Sequence, residues 1–415
     1  MEYAPVRHTR VLASAALSAA VLLGGSALAS PSAPVGLHHP LSNRAAKPSG
    51  SGVFLPAPPC PLPTTPPLPS SLPAVGGTTV GPCVKAPEFP ATGAPEMGNM
   101  TYWGGRVQVH PHLYLIYFGW GERGAFKSAC RPERLTEGRI ATTLKCDPDG
   151  AGRRMADFVQ QLGGTAWAGS QTQYYQVVNG VKTFIHNDTD QLKGIWVDDS
   201  HKTSAKITYR DMAVEAERAV SHFHVPAAQL MDSNFVILQP QNFSDPVAQA
   251  DGYCAFHDLI RGDVDPKDYK GLAPNVPWTN MPYVLNQGFG CGQDLVNAGS
   301  KGKLDGFTIA LGHEIEETVT DPGAEDVIGH APIGGWFDPL DGNENGDKCA
   351  YVGNEPTGAY SFSTGGANSL PIPGAGADIR GNAGGTFPVQ ALWSNHSAAG
   401  LGYCAGAGTD FPGTG

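Results

Sequence analysis

Charge is scarce in this chain: Asp, Glu, Lys and Arg supply 16% of its 415 residues. Basic residues are the scarcer half, 27 against 38 acidic ones, for a formal net charge of −11. No basic stripe is present to meet a phosphate backbone, which argues against nucleic acid as a partner. Beyond the first thirty residues no run is long and apolar enough to span a bilayer, so no membrane association is expected after them. Cys-x-x-Cys is absent, which removes the usual signature of a cysteine zinc cluster. Gly-x-Ser-x-Gly and the phosphate-cradling P-loop are absent as well. What the chain does have is Gly (54) and Pro (36) in excess, the composition of a loop-rich, turn-rich extracellular protein rather than a helical bundle.

The N-terminus fits that compartment. Arg7, His8 and Arg10 precede an apolar run from Val11 to Leu23, followed by Ala27-Leu28-Ala29. A basic start, a short apolar core and an A-x-A site predict a secretory signal peptide over 1–29. Residues 30–98 are rich in Pro, Ser and Ala, as in Pro56-Ala57-Pro58-Pro59-Cys60-Pro61. Such a segment favours extended polyproline geometry and reads as a linker or pro-segment. Eight cysteines form an even set, which in an exported chain predicts four disulfides. The simplest of the 105 pairings joins neighbours: Cys60–Cys83, Cys130–Cys146, Cys254–Cys291 and Cys349–Cys404.

The folded region is expected to begin near Asn99 and to end near residue 409. Val107, Val109, Leu113, Leu115 and Tyr117 alternate with other residues, predicting a strand or a pair of strands over 106–120. Met155, Phe158, Val159 and Leu162 recur at helical spacing before Gly163-Gly164. A second helix is expected over Asp211–His222, with Glu215 and Glu217 on a solvated face. Phe235–Leu238 and Tyr283–Leu285 read as short strands. A third helix is expected over Phe307–Thr320, stopped before Pro322, and half-buried by Phe307, Ile309, Leu311, Ile315 and Val319. Strands interspersed with helices give an α/β or α+β fold class for a single, disulfide-stapled domain.

The third helix carries His313-Glu314-Ile315-Glu316-Glu317. Residues four apart share a helix face, so His313 and Glu317 are placed to hold one metal ion. In H-E-x-x-H helices the Glu after the first His is the general base acting on water at the metal. Glu314 takes that place, and the motif becomes a zincin-like HExxE. Downstream, Trp336 to Cys349 is dense in oxygen ligands. Glu344, 27 residues after Glu317, is the expected third ligand, leaving a fourth zinc position open for water. Asp321 and Asp347 are expected to orient His313 from behind. A calcium site is the alternative, because Asp341-Gly342-Asn343-Glu344-Asn345-Gly346 matches the opening of an EF-hand loop, although Val352 stands where a bidentate Glu is required. A plain Asn/Asp/Gly turn cluster is the third reading of Asp341–Asp347. His110, His112 and His257 are read as structural.

LYLIYFGWG (113–121), Tyr174-Tyr175, GYCAFHD (252–258), GHEIEETVTDP (312–322), ENGDKC (344–349) and VQALWSNHSAAGLGYC (389–404) together resemble the secreted exordium-like family, also called phosphate-induced proteins. The resemblance covers about 100–405 and leaves out the Pro-rich region. It implies a growth-related extracellular protein or, for microbial members, a zinc metallopeptidase, with His313, Glu314, Glu317 and Glu344 as the matching site residues. The expectation is a secreted zinc-dependent hydrolase acting on a peptide or protein. Its rival is a non-catalytic cell-wall or matrix protein whose metal is structural or absent.

Overall fold

The computed structural model describes residues 99–405 except 138–139, 201–202, 204–205, 246–247, 249–252, 262–268, 324–333, 339–342, 350–376 and 397–402. The signal peptide, the Pro-rich segment, Cys60, Cys83 and the Asp341-Gly342 start of the calcium loop lie outside the described residues.

A nearly continuous apolar stretch forms the centre. Strand β1 (His112–Phe118) buries every residue after His112. Successive strand side chains point to opposite faces. Leu113, Leu115 and Tyr117 therefore enter one apolar cluster, and Tyr114, Ile116 and Phe118 enter another. Both faces are covered, which is why the segment is almost continuously apolar rather than alternating with polar residues. Around it lie β2 (Leu192–Asp198), β3 (Ser233–Leu238), β4 (Phe256–Ile260) and β5 (Val276–Met281), in the order β2-β1-β3-β5-β4. Pairings β2–β1, β1–β3 and β3–β5 are parallel, while the edge strand β4 runs antiparallel to β5.

Helix α1 (Ala151–Leu162) lays Met155, Phe158, Val159 and Leu162 into the first cluster. Its N-terminal amides at Gly152 and Arg153 donate to the carboxylate of Asp147, at 3.1 and 3.0 Å. Helix α2 (Tyr209–His222) covers the opposite face with Met212, Ala213, Ala216 and Ala219. It opens with a capping box between Thr208 and Asp211. Helix α3 (Asp305–Thr320) joins α1 in the first cluster through Phe307, Ile309, Leu311 and Ile315. Mixed helices and strands thus build an α+β protein, and among the described residues no helix is long and apolar enough to cross a membrane.

Several expectations need correction. All sixteen residues of α3 are buried, so it is a core helix rather than a half-buried one. Tyr283–Leu285 is not a strand; a short 3-10 turn spans Val284–Asn286, since Pro282 ends the ladder of β5. Val107 and Val109 belong to no strand, and Val109 lies in a bend; Gln108 N donates instead to Val319 O at 2.9 Å. Glu215 is buried rather than solvated, and Glu217 is half-buried, accepting the amide of Ala273 at 2.7 Å.

Cys130–Cys146, Cys254–Cys291 and Cys349–Cys404 are disulfides, in the neighbour pairing. Three such staples fit an extracellular protein. Two of them bear on α3: Cys254 sits two residues before β4, and Cys349 closes the acidic loop that returns over the helix.

Candidate metal centre

A helix buried on every side has to account for each polar group it carries. On α3, His313, Glu314 and Glu317 are all 0% exposed. Three segments converge on them: α3 itself, His257 from β4, and Glu344 and Asp347 from the loop before Cys349. Phe256 lies in the α2-side cluster, so alternation along β4 turns His257 to the other face, towards α3.

His257 Nδ1 lies 3.3 Å from Glu314 Oε2 and 3.8 Å from Glu317 Oε2, and its Nε2 lies 3.5 Å from Glu344 Oε1. His313 Nε2 lies 3.0 Å from Glu317 Oε1, 3.5 Å from Asp347 Oδ1 and 4.0 Å from Glu314 Oε1. Ligand atoms of His257, Glu317 and Glu344 lie within 4.8 Å of one another, and so do those of His313, Glu317 and Asp347. Both sets are thus able to hold a metal ion. A tetrahedral zinc site with bonds near 2.1 Å has ligand–ligand edges of about 3.4 Å, close to the two contacts of His313 with Glu317 and Asp347.

The second partners of the histidines fix which nitrogen each presents. Gln390 Nε2 donates to Gly346 O at 2.7 Å and to Ala391 O at 3.1 Å, which turns Oε1 towards His313 Nδ1 at 3.1 Å. An amide oxygen only accepts, so Nδ1 carries a hydrogen, and Nε2 is the nitrogen of His313 turned towards Glu317 and Asp347. His257 Nε2 lies 2.9 Å from the carbonyl oxygen of Asp321, again an acceptor. Its Nε2 carries a hydrogen and lies beside Glu344, while its Nδ1 faces Glu314 and Glu317. Each ring thus has one nitrogen held by an oxygen acceptor and the other turned to the glutamates, where a metal would replace its proton.

The carboxylates are less well supplied. Glu314 Oε1, Glu317 Oε2 and both oxygens of Glu344 accept no hydrogen bond among the described residues. Burial pushes the Glu314 carboxyl up to about 7, against the opposing pull of the two histidines. Burial likewise raises Glu317 and Glu344. Burial disfavours the imidazolium of His257 and of His313, yet the neighbouring carboxylates outweigh it and raise both. Protons thus take the place of positive charge at this cluster, and a divalent cation would displace them. The site residues fit a metal: oxygen and imidazole donors, buried carboxylates lacking hydrogen bonds, and one nitrogen of each ring directed inward.

Backbone geometry keeps the loop close. A Cβ at Gly346 would stand 2.8 Å from His313 Nδ1 and 2.9 Å from Glu317 Oε1, so only glycine lets the loop lie on these side chains. Asn345 Nδ2 donates to Glu316 O at 3.0 Å and to Thr320 Oγ1 at 3.2 Å, and Asp347 N donates to Glu317 Oε1 at 2.8 Å.

Against the sequence-based expectation, Glu344 does not group with His313; it meets Glu317 from the side of His257. Asp347 faces the inward nitrogen of His313 rather than the rear one, and Gln390 does the orienting. Asp321 acts through its main chain on His257, while its carboxylate accepts Gly335 N at 3.0 Å and Gly323 N at 3.3 Å. Two residues were missed. His257 was read as structural although it stands three residues after Cys254 in GYCAFHD. Gln390, in VQALW, carried no signal. A further group, His110, His186 and Asp188, is exposed at the surface. Comparison with family models, with curated proteins and with solved structures returns no match to this chain.

Proposed function

We propose that the protein is a secreted metal-dependent hydrolase, with zinc as the ion and the peptide bond as its target. The observation that carries this reading is the buried set of His257, His313, Glu314, Glu317 and Glu344, in which each ring turns one nitrogen to the glutamates and four carboxylate oxygens lack hydrogen bonds among the described residues. A zinc ion held there supplies Lewis-acid polarisation of a carbonyl and lowers the pKa of water. Glu314 is the general base. Its carboxyl, raised to about 7 by burial, is matched to accepting a proton near neutral pH and returning it. Glu314 takes the proton from water as the water oxygen bonds to the carbonyl carbon. It then passes that proton to the amine nitrogen as the C–N bond breaks. Gln390 and the carbonyl of Asp321 keep the two imidazoles from rotating. Asp347, with its side chain 12% exposed, marks the side of the cluster nearest to solvent.

Secretion through a cleaved 1–29 signal, zincin-like use of the HExxE helix and membership of the exordium-like family are parts of this same proposal. The expected result for Glu314→Gln is unchanged metal content by elemental mass spectrometry and a ~10²- to 10⁴-fold fall in peptidase turnover. Turnover equal to that of the unaltered protein overturns the mechanism.

One observation favours the rival reading, a metal of purely structural role in an extracellular wall or matrix protein: five of the six cluster residues are 0% exposed. Cobalt(II) substitution separates the two. A hydroxamate that alters the visible spectrum has reached an open coordination position, as catalysis needs. A spectrum indifferent to it marks a closed, structural ion.

A further inference from the structure

Glu317 stands between the two histidines, and its two oxygens face different rings. Oε1 lies 3.0 Å from His313 Nε2, and Oε2 lies 3.8 Å from His257 Nδ1. Glu317 is also the one residue common to both ligand sets, His313–Glu317–Asp347 and His257–Glu317–Glu344. A carboxylate with one oxygen in each of two ligand sets has the geometry of a bridging ligand.

The charges point the same way. Glu314, Glu317, Glu344 and Asp347 amount to four negative charges when ionised, and among the described residues none of the first three pairs with Lys or Arg. Ligating histidines are neutral. One divalent cation leaves two negative charges for protons to balance in a region where Glu314, Glu317 and Glu344 are fully buried, because an uncompensated buried charge is strongly unfavourable. Two divalent cations balance the four carboxylates. Glu344 supports the count on its own: it is 0% exposed and neither of its oxygens accepts a hydrogen bond among the described residues.

We propose that the centre binds two divalent cations bridged by Glu317, one held with His313 and Asp347 and the other with His257 and Glu344. This rests on the metal-dependent reading above and deepens it. Paired ions about 3.5–4 Å apart clamp the attacking and the leaving atoms of a displacement from both sides. Glu314, in contact with both rings, then sits beside the pair.

Metal stoichiometry is the test. The purified secreted protein carries His110→Ala, which breaks the exposed surface group, and is equilibrated with Zn²⁺ and examined by native mass spectrometry. Two zinc ions per chain are expected, falling to one in His257→Ala. One ion per chain in the unaltered centre overturns the bridged pair and leaves the hydrolase reading standing. No ion at all overturns both. If His257→Ala does not fold, Mn²⁺-loaded protein decides by electron paramagnetic resonance. A multiline signal at half the hyperfine spacing of an isolated ion is expected, and the spectrum of isolated ions overturns the pair.

Discussion

Among the described residues, acidic side chains are buried on both faces of the sheet, and the chain treats the two groups differently. On the α2 face, Asp198 at the end of β2 and Glu215 are 0% and 1% exposed. Arg218 reaches both, at 2.8 Å to Asp198 and 2.5 Å to Glu215. Ser200 adds its amide and hydroxyl to Asp198, at 2.8 and 2.5 Å. Burial, together with the hydrogen bond and charge of Asp198, pushes Glu215 up to about 9, so it keeps its proton at neutral pH. Asp198 is lowered although burial opposes it, because Ser200, the Glu215 proton and Arg218 all favour its charged form. One guanidinium and one proton balance the charge of two carboxylates, although Asp198 Oδ2 and Glu215 Oε1 also accept no hydrogen bond among the described residues. On the α3 face, more carboxylates meet only imidazoles, and several oxygens have no hydrogen bond among the described residues. The contrast sets carboxylates balanced by an arginine against carboxylates whose charge a bound cation could balance.

The largest expected effect breaks that symmetry directly. A chelator should strip the α3 cluster and leave the α2 cluster untouched. An ion present at ~1,000 times its Kd contributes ~4 kcal/mol to folding, which for a domain of this size is a fall of roughly 10 °C in Tm. Thermal melts with and without chelator measure it, with recovery expected on adding back Zn²⁺. A melting curve indifferent to chelator and to added metal would place the α3 cluster beside the α2 cluster, as a buried network without an ion.

How much of this was legible in the sequence follows from the range over which each signal acts. β1, α1 and α3 announce themselves by local periodicity, and neighbour pairing of cysteines gave the three described disulfides. β2 (LKGIWVD) and β5 (VPWTNM) gave no such signal. Both mix apolar and polar residues without alternation, and Pro277 reads as a strand breaker. HExxE is a contact between successive helical turns, so His313 and Glu317 could be read at once. His257 meets Glu314 across 57 positions of sequence, and Gln390 meets His313 across 77. Those contacts exist only because the edge strand β4 and the segment after the Thr386–Val389 strand fold onto α3. Burial misled in a related way: an isolated Glu215 looks like surface until Arg218 and Asp198 are known to lie beside it.

A smaller effect sharpens the comparison at the second ring of contacts. Gln390→Ala removes the acceptor that holds His313 Nδ1–H, leaving every direct ligand in place. Loss of such a partner lowers metal affinity by ~10- to 100-fold, measurable by competition with a chromophoric chelator. Because Gln390 is buried and also donates to Gly346 O and Ala391 O, the metal-free variant should lose ~1–3 kcal/mol of stability as well, so affinity is compared under conditions where both proteins are folded. Unaltered affinity would show that His313 is held by packing alone.

The smallest effect belongs to the α2 cluster and concerns pH. Folded Glu215 titrates near 9, far above an ordinary glutamate, so the folded state holds a proton that the unfolded chain releases. A raised folded pKa gives a contribution fully present below the unfolded pKa of ~4.5 and lost as pH rises through about 9. Glu215→Gln mimics the protonated form, donating to Asp198 and accepting from Arg218, and cannot ionise. The variant should match the unaltered protein near pH 5 and exceed it by at least ~1 kcal/mol near pH 9, since each pH unit between the two pKa values costs the ionisable residue up to ~1.4 kcal/mol. Denaturant midpoints at the two pH values, taken at constant free Zn²⁺, isolate the difference from every other titrating group. Parallel profiles would mean that Arg218 holds both carboxylates ionised, and the α2 cluster would then be settled by charge alone rather than by a shared proton.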